Sequence, residues 1–162
     1  MSCRSTLSWY ELIPVFSYLG LGGKCKTCKS KISMQYPLVE LLTGIVFALL
    51  FLKFGDLFLY DIIAFSISYA YYALLCSLLI VITVYDLKHK IIPDILSLVF
   101  GIFAFIGIFI FDHGYLSLHW PSLSDFLAGF VLSVPFALIW LLSRGKWMGL
   151  GDGKLLVGLG FM

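Results

Sequence analysis

The run Gly149-Leu150-Gly151-Asp152 places one carboxylate among glycines, at the point where a polar loop becomes an apolar segment. Glycine lets the backbone turn tightly and lets another backbone approach closely, so an extended peptide can lie against this loop. The positive end of a helix dipole favours an aspartate in the first turn of a helix. We therefore identify Asp152 as a candidate catalytic residue, with Gly149 and Gly151 framing a substrate-binding loop.

One aspartate alone does not make a protease, and the best candidate partner is Asp86, at the end of a long apolar segment. Two aspartates within a few ångströms of each other do not both ionise easily. One can then act as a base towards water while the other acts as an acid towards the scissile carbonyl. The alternative is structural: Asp152 would cap a helix, and Asp86 would pair with Lys88 or Lys90.

Three other side chains bear on this pair. Asp94, which follows Pro93, competes for a place in the pair, although it can also be a helix-start residue. Glu40, near the start of the first apolar segment, is a second competitor. His89 lies three residues beyond Asp86, where it would either hydrogen-bond near the pair or face solvent as a loop residue.

The composition indicates a membrane protein. The chain has 162 residues, of which 61% are hydrophobic and 12% charged, whereas a soluble domain averages about 25% charged residues. So much apolar surface does not fit into a water-soluble core, so we expect an all-α fold, a polytopic transmembrane helical bundle. A polar N-terminal region, 1–37, precedes a membrane region, 38–162. In the membrane region we predict four spans and the start of a fifth, over residues 38–52, 62–85, 91–111, 126–142 and from 155 onward.

The distribution of charges sets the orientation. If the spans alternate, residues 1–37, 86–90 and 143–154 share one side of the membrane, and a loop over 53–61 lies on the other. The first side carries ten of the 11 Lys and Arg residues, and Lys53 is the exception. Cytoplasmic loops are enriched in Lys and Arg, so this side is predicted to be cytoplasmic. Both aspartates of the pair then lie at cytoplasmic helix ends.

The N-terminal region has the pattern of a small metal-binding knuckle. Cys25-x-x-Cys28 has the spacing with which two thiolates bind one tetrahedral Zn²⁺, and Cys3 would be a third ligand. The alternative is a set of reduced thiols in a cytoplasmic loop; a redox pair is disfavoured because no βαβ pattern surrounds it. Cys76, inside an apolar segment, is interpreted as a packing residue. The basic residues between 24 and 31 suit anionic lipid better than nucleic acid.

Together these motifs resemble the type IV prepilin peptidases, a branch of the GxGD intramembrane aspartyl proteases, in that family's order and over nearly the whole chain. The matching stretches are residues 9–19, 23–28, 36–40, 86–96 and 149–152. The resemblance implies that Asp86 and Asp152 are the catalytic pair of an aspartic-type endopeptidase. It implies cleavage of prepilin or pseudopilin leader peptides after a glycine, at the cytoplasmic face of the bacterial inner membrane, for type IV pilus or type II secretion systems.

The resemblance also concerns the N-terminal region. Members of the family are bifunctional, and they methylate the new N-terminal amine with S-adenosylmethionine. The resemblance ties the cytoplasmic domain to that step, which makes Gly23 and Lys24 candidates for it. The family's cysteines form two C-x-x-C pairs, and Cys3 corresponds to the second member of the first pair. The first member would fall before Met1, so we expect this sequence to be a fragment, with its fifth span cut short.

A rival function from another class is a non-enzymatic polytopic membrane protein, such as a transporter that uses intramembrane carboxylates. Transport predicts proton- or ion-coupled flux that does not depend on peptide cleavage. A protease predicts that Asp86→Asn or Asp152→Asn abolishes the processing of a prepilin-like substrate while the protein still inserts.

Overall fold

The computed structural model describes residues 6, 8–112, 114–147 and 149–162, and only the backbone of Tyr10. The chain divides into two compact units, Met1–Leu49 and Leu50–Met162, called here the N-terminal and C-terminal units. A 3₁₀ helix at Trp9–Leu12 precedes six α-helices and two short strands: α1 (Phe16–Gly20), α2 (Gln35–Tyr60), α3 (Ile62–His89), α4 (Asp94–Ile110), β1 (Phe111–Asp112), β2 (Tyr115–Leu116), α5 (Leu123–Ser143) and α6 (Leu150–Gly160). The mostly helical fold that the composition predicts is confirmed.

Two glutamates organise the N-terminal unit. Glu11 Oε2 accepts a hydrogen bond of 2.7 Å from the backbone N–H of Ser8, as part of a capping box that starts the 3₁₀ helix. Glu40 Oε2, on α2, accepts one of 2.8 Å from the N–H of Val15. Val15 has a φ of 60° and directly precedes α1. Glu40 therefore satisfies a backbone donor beside the start of a short helix, where intrahelical partners are missing.

The prediction of a loop over residues 53–61 is wrong. Helix α2 continues to Tyr60, and the single residue Asp61 separates it from α3. The Lys53 ammonium lies 5.4 Å from the ring centre of Phe54 and 5.2 Å from that of Tyr72, so this charge is accommodated on a helix surface beside aromatic faces. Asp61 starts the next helix, since its Oδ1 accepts hydrogen bonds of 2.9 and 3.0 Å from the N–H groups two and three residues later.

A β-hairpin follows α4, where only a connection between spans was expected. Its two strands are antiparallel, with Phe111 opposite Leu116, and Gly114 in the turn has a φ of 93°. Strands of two residues are too short to leave an alternating pattern in the sequence.

Helix α5 begins after Ser122, whose N–H and hydroxyl donate hydrogen bonds of 2.8 and 2.7 Å to Asp125 Oδ2.

The last helix begins earlier than the sequence indicates. Helix α6 starts at Leu150, whereas the fifth apolar segment was expected from residue 155. Glycines interrupt the apolar pattern in this stretch, but in the structure they let α6 pack closely on its neighbours. A Cβ atom at Gly160 would lie 2.5 Å from the Cα of Gly129 on α5, so only hydrogen atoms separate the two backbones there.

Two apolar clusters form the core of the C-terminal unit. The first combines Phe54, Phe65, Tyr72 and Phe111. The second consists of Leu75, Ile82 and Phe100, with side chains that include Ile92, Leu155 and Leu159 packed against it. The second cluster, called here the α3–α4–α6 cluster, brings the start of α6 next to the connection that follows α3.

The long helices have the dimensions of membrane spans. Helices α2, α3 and α5 are each long and apolar enough to cross a bilayer, and α4 is an apolar helix of 17 residues, with a length of about 25 Å. Large apolar side chains project outward along them, such as Leu59, which is 78% exposed, and Leu142, which is 83% exposed. Surfaces of this kind are stable in lipid rather than in water. The chain is therefore a multi-pass membrane protein.

Candidate functional site

Asp86 lies in the last turn of α3, where the helix stops. Its backbone carbonyl accepts a hydrogen bond of 2.6 Å from the N–H of Lys90, which adopts the left-handed conformation with a φ of 55°. This turn ends the helix and directs the chain towards α4. The Asp86 side chain remains half-buried at the helix end. The exposed ring of His89 packs at a tilt of 33° against that of Tyr85, with 4.4 Å between the ring centres.

Asp152 lies in the first turn of α6. Gly149 is the N-cap and contributes no side chain to the cap, and Asp152 is the acidic residue of this turn. Its Oδ2 would lie 4.0 Å from a Cβ atom built on Gly149. The side chain is half-buried, and it sits at the end of the helix where backbone N–H groups lack intrahelical partners.

Each of the two aspartates lies one helical turn from an apolar side chain of the same cluster. Ile82, one turn before Asp86 on α3, and Leu155, one turn after Asp152 on α6, both belong to the α3–α4–α6 cluster. Residues three or four positions apart lie on the same face of a helix. Asp86 and Asp152 therefore lie at the same end of this cluster.

Most of the other carboxylates have structural partners. Interactions within the described residues involve Glu11, Glu40, Asp61, Asp94, Asp112 and Asp125, and Asp56 is exposed to solvent. Across the part of the chain that the structure describes, Asp86 and Asp152 are the two half-buried carboxylates without a hydrogen bond or ion pair.

Both competitors for the acidic pair have other roles. Glu40 binds the backbone N–H of Val15. Asp94 Oδ1 lies 2.7 Å from the Nζ of Lys154, in an ion pair whose side chains are 71% and 48% exposed. The sequence does not predict this ion pair, because nothing in the spacing of residues 94 and 154 signals a contact.

The glycines around Asp152 differ in their surroundings. A Cβ atom at Gly151 would lie 3.0 Å from the Cβ of Ile92, so this glycine allows the α3–α4 connection to approach α6. At Gly153 nothing lies within 4 Å. The close approach at Gly151 thus comes from this chain's own Ile92, and the substrate-binding role of Gly149 and Gly151 stays a prediction.

The paired cysteines of the N-terminal unit lie on a tight hairpin. The N–H of Cys25 donates a hydrogen bond of 2.9 Å to the carbonyl of Ser30, and the Cys28 sulfur lies 3.0 Å from the Ser30 hydroxyl. Within the described residues no three metal-binding side chains converge. Cys3, the predicted third ligand, lies outside them.

The candidates for methyl transfer lie next to this hairpin. Gly23 has a φ of 69°, and a Cβ atom there would lie 2.9 Å from the hydroxyl of Tyr18. The positive φ and the proximity of Tyr18 therefore explain why a glycine occupies position 23. Lys24 is exposed and forms a β-bridge with Lys31.

The cationic side chains are distributed unevenly between the two ends of the C-terminal unit. At the end that carries Asp86 and Asp152, five cationic side chains are exposed: Lys88, Lys90, Arg144, Lys146 and Lys154. Lys53 lies at the other end, where its Nζ would be 3.4 Å from a Cβ atom on Gly114 of the β-hairpin.

This fold and this site define a class: a multi-pass helical membrane protein with two unpartnered, half-buried carboxylates at one end of its bundle. Comparison with known proteins makes the assignment specific. Residues 73–162 match the type IV leader peptidase family and residues 1–54 match the bacterial peptidase A24 N-terminal domain. The chain belongs to the type IV leader peptidase family, and the resemblance inferred from the motifs is confirmed.

Several curated relatives are each named prepilin leader peptidase/N-methyltransferase. The chain is 34% identical to the one from Neisseria gonorrhoeae over 98% of its own length and 51% of the relative's. It is 35% identical to that of Pseudomonas aeruginosa, with 98% and 51% covered, and 34% identical to that of Bacillus subtilis, with 99% and 58% covered. The chain thus spans about half the length of the relatives it matches. No solved structure matches it significantly.

Proposed function

We propose that this chain carries the proteolytic site of an intramembrane aspartic endopeptidase that removes the leader peptides of type IV prepilins or pseudopilins after a glycine. The observation that carries the proposal is the pair of half-buried carboxylates, Asp86 and Asp152, without partners among the described residues. Desolvating a carboxylate without a partner is unfavourable, so such groups mark functional sites more often than structural ones. The names of the relatives supply the substrate class.

In the proposed mechanism the two aspartates hold one proton between them. The ionised carboxylate takes a proton from a water molecule while the water oxygen attacks the carbonyl carbon of the scissile bond. The protonated carboxyl gives its proton to the carbonyl oxygen. Collapse of the resulting diol breaks the C–N bond, and the leaving amine takes up a proton from the pair. Asp152 lies at the N-terminus of α6, whose dipole favours a carboxylate at this position.

The active end of the bundle is proposed to face the cytoplasm of the bacterial inner membrane. Among the described residues of the C-terminal unit, five exposed cationic side chains lie at that end and Lys53 is the Lys or Arg residue at the opposite end. Membrane proteins concentrate Lys and Arg on the cytoplasmic side. The leader peptide would then lie extended along Gly149 and Gly151, with the apolar helix of the substrate alongside in the bilayer.

For the N-terminal unit we propose zinc binding. Cys25 and Cys28 would supply half of a tetrahedral site, because their C-x-x-C spacing suits zinc and they lie on one hairpin held by backbone hydrogen bonds, and Cys3 is the proposed third ligand. A bound zinc ion would fix the fold of this small unit.

We also propose that the complete protein methylates the new N-terminus, for which S-adenosylmethionine supplies the methyl group. Lys24 is the better placed of the two candidate residues, since its exposed ammonium can bind a carboxylate. Gly23 contributes a turn.

The decisive test compares Asp86→Asn and Asp152→Asn with Asp56→Asn, which changes an exposed carboxylate outside the site. Cleavage of a prepilin-like peptide by the chain in lipid vesicles should fall by about 100-fold or more in the first two variants, as expected for a lost acid–base group. Asp56→Asn should cleave normally, and all three should insert equally. Full processing by either site variant refutes the proposal. Ion flux that persists in cleavage-dead vesicles would favour the transporter alternative.

A further inference from the structure

The geometry points to Asp94 and Lys154 as a positioning pair that, together with the Ile92–Gly151 contact, sets the rotation of α6 and hence the direction of the Asp152 carboxylate. This inference rests on the proposed function, because it concerns the distance between Asp86 and Asp152. It assigns neither Asp94 nor Lys154 a contact with the substrate.

One face of α6 lies along the start of α4. Gly151 abuts Ile92, with 3.0 Å between the Ile92 Cβ and a Cβ built on the glycine. One turn later, Lys154 Nζ lies 2.7 Å from Asp94 Oδ1. One turn further, a Cβ on Gly158 would lie 2.8 Å from the Phe100 ring. Residues spaced by three and four form a single stripe on a helix, so three successive contacts fix the same stripe.

Asp152 is not part of that stripe. One residue turns an α-helix by about 100°, so Asp152 points sideways from the face that holds Gly151 and Lys154. Leu155, which lies between Gly151 and Asp152 around the helix axis, packs in the α3–α4–α6 cluster with Ile82 of α3. If α6 rotated about its axis, the Asp152 carboxylate would swing away from the end of α3, where Asp86 lies.

The Asp94–Lys154 ion pair is well suited to this role and poorly suited to stabilising the fold. Its side chains are 71% and 48% exposed, and ion pairs in such surroundings contribute little to stability. It nevertheless connects two segments of the site. Asp94 is the first residue of α4, which follows the turn after Asp86, and Lys154 lies on α6, the helix that carries Asp152. Removing it should therefore loosen the geometry of the two aspartates while the fold remains.

A direct role in substrate binding is the competing explanation, because Asp94 and Lys154 also lie at one end of an apolar groove of about 390 Å³ between α4 and α6. The two explanations differ in kinetics. A positioning pair acts on kcat with KM nearly constant, whereas a pair that holds the substrate in its ground state acts on KM.

The test measures kcat and KM for a prepilin-like peptide with Asp94→Asn, Lys154→Met and the exchanged double variant Asp94→Lys with Lys154→Asp. Lys146→Met, an exposed cation at the same end, is the control. Each single change should lower kcat by about 10- to 100-fold, the effect of a displacement of about 1 Å, and leave KM within about twofold. The exchanged pair should recover most of the loss, as coupled residues do in a double-mutant cycle.

A second measurement does not depend on activity. The proposed pairing of the two aspartates requires that Asp86→Cys with Asp152→Cys, in a chain whose native cysteines are replaced by serine, form a disulfide under mild oxidation, because cysteines bridge only when their Cα atoms come within about 7 Å. Lys154→Met should slow this reaction markedly, and Lys146→Met should not.

Unchanged kcat in the single variants, a higher KM with unchanged kcat, or unchanged crosslinking would each overturn the positioning role. The proposed function has separate tests. It fails if Asp86→Asn and Asp152→Asn keep cleaving, or if the two cysteines never bridge in the chain with Lys154 intact.

Discussion

Replacing Gly151 by alanine tests how closely the site depends on the packing of α6. The new methyl group would lie 3.0 Å from the Cβ of Ile92 and 3.7 and 3.8 Å from its Cγ1 and Cδ1 atoms. Carbon atoms pack favourably at about 3.5–4.0 Å, so the two segments must separate by about 0.5–1 Å. The Cβ of Ile92 is fixed to the backbone beside Pro93, and rotation of the side chain does not move it. The start of α6 must therefore yield.

The expected effect on catalysis is larger than the effect on stability. A misplacement of about 1 Å in a site of this kind costs up to about 100-fold in rate, so Gly151→Ala should lower kcat by about 10- to 100-fold. Overpacking costs about 1–3 kcal/mol, and the helix propensity of alanine returns about 1 kcal/mol. The net change in the free energy of unfolding should be at most about 2 kcal/mol.

Gly153→Ala is the matched control, two residues further along the same helix. Nothing lies within 4 Å of a Cβ atom at Gly153, so this variant should gain about 1 kcal/mol of helix stability and keep its cleavage rate. Peptide cleavage in lipid vesicles and thermal unfolding in detergent measure the two effects. Cleavage by Gly151→Ala at the wild-type rate would show that the site does not depend on the contact between Gly151 and Ile92. Loss of activity in both alanine variants would also contradict this dependence, because the glycines would then contact the substrate rather than make room for Ile92.

Three further predictions concern other parts of the chain. Gly160→Ala should lower the thermal stability by about 1–3 kcal/mol, because the added methyl group meets the α5 backbone; unchanged melting would contradict this packing. Glu40→Ala should cost about 1 kcal/mol locally, as lost caps do, and hydrogen exchange at the Val15 amide should accelerate. Cys25→Ser or Cys28→Ser should reduce the zinc bound per chain, measured by elemental mass spectrometry, and equal zinc in wild type and variants would exclude these thiols as ligands.

The sequence predicts best those features that depend on one helix at a time. Long apolar segments predict the spans, and their alternation predicts that Asp86 and Asp152 lie at the same end of the bundle, as the C-terminal unit has them. The family also follows from motifs in order along the chain. The role of the two aspartates as a catalytic pair stays a prediction.

Features that depend on two segments in contact are not predictable from the sequence. Helix α2 continues through Lys53 because the rings of Phe54 and Tyr72 lie beside the Lys53 ammonium. The apolar pattern of the sequence does not reveal this contact. Helix α6 begins at Leu150 despite glycines of low helix propensity, because close packing on α4 and α5 compensates. The Asp94–Lys154 pair is a tertiary contact between two charges that lie 60 residues apart in the sequence.

The glycine-lined contacts of α6 also have an evolutionary consequence. Where Gly160 meets Gly129, hydrogen atoms alone separate the two backbones, and no flexible side chain lies between them to absorb a change. Most protein cores accept gradual drift in volume, because neighbouring side chains can rearrange. Here a single added methyl group must displace backbone. This helix should therefore vary only through simultaneous changes on both surfaces, which makes it a slowly evolving part of a chain whose lipid-facing sides are free to diverge.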